Sequence, residues 1–258
     1  MPGGESRLKT ANHEPNKNMK NIMKHTLRHI GYDLVKVPYP ESHGRELKNL
    51  IERQDINCVL DVGARHGEFA SWLREIGFSG HICSFEPVAE NFRELSRRMG
   101  CDKRWMGFNL ALGETGGEQT INVTAGSAMS SFLEPNAFAR QQFTEDSVVL
   151  QGELVRMAPL RDVMEKVRTK VEKPRCLLKL DTQGYDLKVM RGAESCLEFI
   201  VALQSEVSIK PIYEAMPGYA EAIGEYQSLG FELVGLHPVK RDRGGAVIEF
   251  DCLMQRAV

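Results

Sequence analysis

Hydrophobic residues after position 57 alternate between short apolar runs and segments spaced for a helix. This alternation is typical of an α/β protein with a mainly parallel sheet. The run at 58–63 is too apolar for an edge strand, so we expect it at the centre of the sheet. The predicted strands are 58–63, 81–86, 108–112, 120–123, 176–181, 200–206, 231–236 and 246–254, and the predicted helices are 69–76, 88–99, 159–168, 185–196 and 217–229.

The N-terminal part of the chain has a different pattern. Residues 1–16 lack periodicity and are interpreted as a disordered leader. Apolar residues recur at helical spacing in residues 17–30, with Lys and Arg on another face, which predicts a short basic amphipathic helix within a helical extension at 17–56. The helix suits either a membrane surface or packing on the domain, and its few positive charges favour packing. Whether it mediates contact between two copies is left open. Residues 57–258 are predicted to be one domain.

Composition narrows the class of protein. The chain has 258 residues, of which 42% are hydrophobic and 26% charged, as in ordinary globular proteins. It has no apolar run long enough to span a membrane and no signal sequence, so we expect a cytoplasmic protein. The 33 Lys and Arg residues balance 35 Asp and Glu residues, which argues against a nucleic-acid partner. The six cysteines lack metal-site spacing, and neither disulfides nor a metal are expected.

A glycine turn at 59–67 marks the expected ligand site. The strand breaks at Gly63 and the next helix starts near Gly67, which lets a ligand approach the backbone closely. The pattern is G-x-x-x-G, not the dinucleotide fingerprint G-x-G-x-x-G. Glu86 ends the next strand, where a carboxylate can accept hydrogen bonds from ribose hydroxyls. Together these features predict an adenosine-containing ligand.

The polar stretch from Gly113 to about Ser147 is long and irregular by sequence. It is rich in Gly, Ser and Thr. Such an insertion is usually a functional lid or a flexible loop.

The segments VLDVGARHGEFASWL, FEP, NLALGE, SSFLEP, LLKLDTQGYDLKVMRGA and LGFELVGL, together with residues 30–38, resemble the FkbM family of class I S-adenosylmethionine-dependent methyltransferases. The resemblance extends from about residue 20 to the C-terminus. It implies a Rossmann-like sheet of seven mainly parallel strands with an antiparallel last strand and helices on both faces. It also implies S-adenosylmethionine as the cofactor.

The resemblance assigns several residues to the cofactor. Glu86, with Pro87 after it, would hold the ribose, and Ser131 would lie in a segment folded over the cofactor. The family usually has Asn where Arg65 stands, so Arg65 either pairs with the methionine carboxylate or points outward. Residues expected beside the methionine part are Asp61, Gly63, Ala64, Arg65 and Gly67, and those beside adenine are Asn109 and Ala111.

Two carboxylates are candidates for the chemistry. Methyl transfer to a hydroxyl needs a group that removes the proton. Asp181 is the first choice, either as this base or as a positioning contact, and Glu206 is the second, with a solvent-exposed strand end as its alternative. Both could contribute to a Mg²⁺ site, but no third ligand is evident. Lys179 could reach the sheet face or extend outward.

The predicted function is methylation of a hydroxyl on a small molecule or sugar, as in natural-product or glycan biosynthesis, and the choice of hydroxyl rests on the resemblance. Two alternatives remain. One is an NAD-dependent oxidoreductase on a similar sheet, against which the incomplete glycine fingerprint argues. The other is a non-catalytic methyltransferase-like binding module, which the departure at Arg65 keeps open. His66 and His237 are expected to be structural.

Overall fold

The computed structural model describes residues 26–27 and 43–257. Thr26 and Leu27 are helical. The other residues of the predicted leader, of the basic helix and of the 30–38 segment lie outside the described residues. Within the predicted extension, helix α1 spans His43–Arg53 and buries Leu47, Leu50 and Ile51. The domain limits at 57 and 258 stay a prediction.

Seven strands among the described residues form the central sheet. They are β1 Cys58–Val62, β2 His81–Phe85, β3 Trp105–Phe108, β7 Cys176–Leu180, β8 Ile200–Ser208, β9 Phe231–Arg241 and β10 Val247–Arg256. Their order in the sheet is β3-β2-β1-β7-β8-β10-β9. Strand β10 pairs antiparallel with β8 and β9, and the other pairs are parallel. The predicted α/β class, the seven strands and the antiparallel last strand are therefore confirmed.

A second sheet of three strands differs from the sequence prediction. Strands β4 (Ala111–Leu112), β5 (Gly117–Thr124) and β6 (Val149–Ala158) pair in the order β4-β6-β5. The predicted strand at 108–112 was wrong in its position, because β3 ends at Phe108 and Ala111 belongs to this second sheet. Strand β6 was not predicted. Its outer face is exposed, so its side chains lack the apolar pattern of a buried strand.

The helices lie between the strands, as the alternating pattern predicted. The predicted helix 185–196 is split, because the chain turns from an α-helix into a 3₁₀ helix at Glu194–Phe199. A shorter 3₁₀ helix, Ser127–Met129, follows β5. The other α-helices are α2 Glu68–Glu75, α3 Ala89–Met99, α4 Ala137–Gln142, α5 Leu160–Arg168, α6 Asp186–Gly192 and α7 Tyr219–Ser228.

One face of the central sheet changes from apolar to polar along its strands. Val59, Leu177 and Ala202 lie in the core that packs against α1, α2 and α3. Two residues further along each strand, the same face carries Asp61, Lys179 and Gln204. These polar side chains are buried at the carboxyl ends of the strands, which is where open α/β sheets bind ligands.

Candidate active site

A cleft of about 570 Å³ opens at the carboxyl ends of β1, β2, β7 and β8. Its volume falls within the range of about 300–1,000 Å³ found for small-molecule sites. On the side of β1 and β2 it is lined by Gly63, Ala64, Arg65, Glu86, Pro87 and Asn91. On the side of β7, β8 and β10 it is lined by Lys179, Asp181, Gln183, Gln204, Glu206 and Asp251.

The turn after β1 brings the backbone of two strands close together. Gly63 has a φ of 78°, and a Cβ atom there would lie 2.0 Å from the carbonyl oxygen of Asp181. Only glycine fits this approach. Gly67, at the start of α2, has a φ of 84°. It is not among the described residues that line the cleft. Gly63 thus lets β7 deliver Asp181 beside the β1 turn.

Glu86 fixes this turn to the end of β2. Its Oε2 accepts from the backbone N–H of Arg65 at 2.8 Å, and its Oε1 accepts from the N–H of Val88 at 3.0 Å and from Asn91 Nδ2 at 3.3 Å. Burial raises the pKa of Glu86 to about 7, although the three N–H donors favour the carboxylate. The Glu86 carboxyl group is therefore held in a fixed position, but its ionisation is costly unless a further hydrogen-bond donor contacts it.

Arg65 spans the mouth of the cleft. Its Nε donates to Ser127 Oγ at 2.8 Å, and its Nη1 lies 3.4 Å from Glu68 Oε1. Arg65 has a φ of 48°, in the left-handed region that Asn tolerates better than other non-glycine residues. The predicted polar segment thus reaches the cleft through Ser127.

Lys179 occupies the centre of the cleft floor. Its Nζ lies 3.2 Å from Asp61 Oδ1 and 3.4 Å from Asp181 Oδ2, and it donates to the carbonyl of Gly63 at 3.1 Å. Burial disfavours its charge, but the two carboxylates raise the pKa of Lys179 above its ordinary value. Burial raises the pKa of Asp61 despite this ammonium. Of the two orientations predicted for Lys179, the structure shows the inward one.

Gln183 links the two predicted catalytic carboxylates. Its Nε2 donates to Asp181 Oδ1 at 2.8 Å and to Glu206 Oε2 at 3.1 Å. Its Oε1 lies 3.0 Å from the buried hydroxyl of Tyr213. The structure therefore brings Asp181 and Glu206 close together, with the Gln183 amide between their carboxyl groups.

The two carboxyl groups have different proton affinities. Burial works against ionisation of Asp181, but Lys179 and the Gln183 amide outweigh it and lower its pKa. Burial and the charges of Asp181 and Glu249 raise the pKa of Glu206 well above its usual range. Lys240 Nζ lies 3.7 Å from Glu206 but only 2.8 Å from Glu249. Glu206 is therefore the carboxyl group that more readily holds a proton.

The far wall of the cleft consists of Gln204, Asp251 and His43. Asp251 is paired in register with Glu206 across β10 and β8. Burial, followed by the charge of Asp181, raises the pKa of Asp251 to about 6. His43 Nε2 lies 3.8 Å from Asp251 Oδ2, and burial, with His237 nearby, lowers the pKa of His43.

Several predicted residues lie near the cleft without lining it among the described residues. Asn109 is exposed and donates to the carbonyls of Glu86 and Pro87, and Ala111 is buried within the second sheet, as part of β4. Ser131 is buried and donates to the carbonyl of Gln183 at 2.8 Å. Their assigned cofactor contacts stay predictions. Asp61, as described, contacts Lys179 below the cleft surface.

The two histidines have structural partners. His66 bonds to Asn91 Oδ1 at 3.1 Å, and His237 bonds to Glu46 Oε2 at 2.9 Å. Sequence reasoning did not single out Gln183, Gln204, Lys240, Asp251 or Ser127. The signal available for Gln204 and Asp251 was the alternation of polar residues along β8 and β10. Because side chains alternate between the two faces of a strand, Gln204 had to share a face with Glu206.

None of the helices in the described part of the chain has both the length and the apolar character needed to cross a membrane. In residues 26–27 and 43–257, no group of three or more His, Cys, Asp or Glu side chains is arranged to hold a metal ion.

Comparison with solved structures gives low sequence identities. An rRNA methylase from Streptococcus thermophilus has 12% identity and a TM-score of 0.44, with 85% of this chain and 99% of that chain covered. A putative O-methyltransferase from Klebsiella pneumoniae has 11% identity and a TM-score of 0.44, with coverage of 95% and 93%. A magnesium protoporphyrin IX methyltransferase from Synechocystis has 10% identity and a TM-score of 0.45, with coverage of 96% and 100%.

Comparison with known families is more specific. The search of curated proteins gave no match. Residues 61–233 match the methyltransferase FkbM domain, and this range includes the glycine turn, Glu86, Asp181 and Glu206. The match favours a methyltransferase over the oxidoreductase and the non-catalytic binding module. The chain belongs to the FkbM methyltransferase family and is an S-adenosylmethionine-dependent methyltransferase.

Proposed function

We propose that the protein methylates a hydroxyl group of a small molecule or sugar, with the cofactor over β1 and β2 and the acceptor over β7, β8 and β10. The observation that carries this proposal is the position of Glu86 and Glu206 in a single cleft, on opposite sides of Asp181. We further propose that the reaction takes place in the cytoplasm, in the biosynthesis of a natural product or glycan.

The side of β1 and β2 has groups that suit S-adenosylmethionine. Arg65, Val88 and Asn91 use three of the about four lone-pair sites of the Glu86 carboxylate, so Oε2 can still accept from a ribose hydroxyl. Arg65 offers a cation at the cleft mouth for the methionine carboxylate. Gly63 lines the cleft, and the absence of a side chain there lets the turn after β1 lie against the backbone of Asp181.

The β7 and β8 side supports the proton transfer. S-adenosylmethionine, when bound, supplies a methyl group already activated on a sulfonium. A hydroxyl acceptor must lose its proton, and a base is most effective when its pKa lies near the working pH. Burial and the charge of Asp181 raise the pKa of Glu206, which makes it the stronger base of the two once it is ionised. Lys179 and Gln183 lower the pKa of Asp181, which makes it the weaker base. We therefore assign Glu206 as the base and Asp181 as a positioning residue.

Isothermal titration with S-adenosylmethionine, S-adenosylhomocysteine and NAD tests the cofactor. We expect micromolar binding of the first two and no binding of NAD. The reaction is then followed by S-adenosylhomocysteine release with a panel of hydroxyl compounds, and the product is analysed by NMR. Binding of NAD alone would overturn the cofactor assignment. A methyl group found on nitrogen or carbon would overturn the hydroxyl assignment.

A further inference from the structure

The far wall of the cleft has a buried oxygen that lacks a partner. Gln204 is 4% exposed and lines the cleft. Its side chain hydrogen-bonds to the Asp251 carboxylate, but its Oε1 has no hydrogen-bond partner among the described residues. The Nε2 of His43, which also interacts with Gln204, likewise lacks a partner among them. A buried polar atom without a partner carries a free-energy cost. A ligand that donates a hydrogen bond to Gln204 would remove this cost, so the atom itself indicates the kind of group that belongs there.

Asp251 places a carboxylate beside this oxygen. Gln204 and Glu206 are two residues apart on β8 and face the same side, and Asp251 is paired in register with Glu206. Side chains paired in this way have Cβ atoms about 4.5–5.5 Å apart. A group held between Gln204 and Asp251 is therefore next to a hydroxyl held at Glu206.

The cleft has more carboxylates than cations. Its lining includes Glu68, Glu86, Asp181, Glu206 and Asp251, against Arg65, Lys179 and Lys240. All three cations are already paired with a carboxylate. Among the described residues, no Lys or Arg nitrogen lies within 4 Å of the Asp251 carboxylate, and its nearest basic group is His43 at 3.8 Å. Asp251 thus accepts a hydrogen bond from the Gln204 side chain but has no fixed cation.

We propose that Gln204 and Asp251 form a subsite for a protonated amine of the acceptor. The acceptor is then an amino alcohol, such as an amino sugar, with the amine adjacent to the hydroxyl that is methylated. The ammonium donates one hydrogen bond to Gln204 Oε1 and another to the Asp251 carboxylate, and its charge compensates that carboxylate. This inference rests on the proposed placement of the reacting hydroxyl at Glu206.

Two probes of the same shape test the charge requirement. Titrations monitored by ligand-observed NMR use protein loaded with S-adenosylhomocysteine and compare trans-2-aminocyclohexanol with trans-1,2-cyclohexanediol at neutral pH. We expect the amine to bind at least tenfold more tightly, since a hydrogen bond to a charged group is worth about 1.5–3 kcal/mol. Equal binding of the diol, or no binding of the amine at millimolar concentration, would overturn the proposal.

Variants test the two residues. Asp251→Asn should reduce the preference for the amine to less than threefold, and Gln204→Leu should weaken amine binding about tenfold by removing one such hydrogen bond. Glu232→Gln is the matched control, because Glu232 is an exposed carboxylate on β9 outside the cleft. A preference that survives Asp251→Asn would contradict the subsite.

The cofactor titration separates this proposal from the proposed function. Affinity for S-adenosylhomocysteine depends on Glu86 and should stay within threefold in the Asp251 and Gln204 variants, which also shows that they fold. If the wild-type protein does not bind S-adenosylhomocysteine, the proposed function fails. The amine preference is then measured without it, and a preference lost in Asp251→Asn would still support the subsite.

Discussion

The backbone N–H of Arg65 donates a 2.8 Å hydrogen bond to Glu86 Oε2, which joins the turn after β1 to the end of β2. The bond connects residues 21 positions apart in the sequence. It gives Glu86 two tasks, because the same carboxyl group that we assign to the ribose also holds the turn that faces it. Loss of Glu86 should therefore affect both the ligand and its pocket.

We expect Glu86→Ala to weaken S-adenosylhomocysteine binding by more than tenfold, because hydrogen bonds to a charged acceptor are worth about 1.5–3 kcal/mol each. In the wild type, affinity should rise with pH through about 7, since the ionised Glu86 carboxylate is the stronger acceptor for a ribose hydroxyl. Glu86→Gln should remove this pH dependence. Calorimetry between pH 6 and 8 measures both effects, and a wild-type affinity independent of pH would contradict the assignment.

The Lys179 ammonium should be required for stability. Lys179→Met leaves the Asp61 and Asp181 carboxylates without their shared cation, and breaking a buried pair typically costs about 3–5 kcal/mol. We expect a loss of this size in the free energy of unfolding, measured with urea. Adding Asp61→Asn should recover part of it, because the unpaired charge is then removed. A loss below about 1 kcal/mol, as for exposed ion pairs, would show that the site is well solvated.

Glu206 and Asp181 should differ in their effects on turnover. Glu206→Gln should lower kcat by about 10²–10⁴-fold, the usual contribution of a general base, with little change in cofactor affinity. Activity of the wild type should rise with pH as Glu206 loses its proton, at a pH well above that of an ordinary glutamate. The variant should lack this rise. Asp181→Asn should change cofactor affinity and kcat together, because it also disturbs Lys179; a selective loss of kcat would make Asp181 the base.

Arg65→Asn tests the bridge across the cleft mouth. Asn tolerates a φ of 48° better than Arg, so relief of backbone strain should offset the lost contact and keep the free energy of unfolding within about 1 kcal/mol. Dissociation of S-adenosylhomocysteine should become at least about tenfold faster, because Arg65→Asn removes both the bond to Ser127 and the cation proposed for the methionine carboxylate. Ser127→Ala should accelerate dissociation less, because it keeps that cation, and stopped-flow measurement of both variants checks this. Unchanged rates would show that the bridge does not retain the ligand.

The central sheet was predictable because its buried strands have strong local signals. The runs that contain Val59 and Leu177 are buried on both faces and mainly apolar, and the turn at Gly63 shows where the first one ends. Strand β6 was missed because Leu150 and Leu154 lie on an exposed face next to polar neighbours, which weakens the pattern. Its pairing with β5 across a long loop has no local signal at all.

By itself, the sequence determined the α/β class, the glycine turn, and the positions of Glu86, Asp181 and Glu206 at strand ends. These features depend on residue type and on the spacing between residues that are close in the sequence. Only the tertiary structure decided that Lys179 pairs with Asp181, that Gln183 bridges Asp181 to Glu206, and that the Oε1 of Gln204 lacks a partner among the described residues. Proton affinity and hydrogen-bond satisfaction depend on burial and on neighbours from distant strands, which a single sequence does not specify.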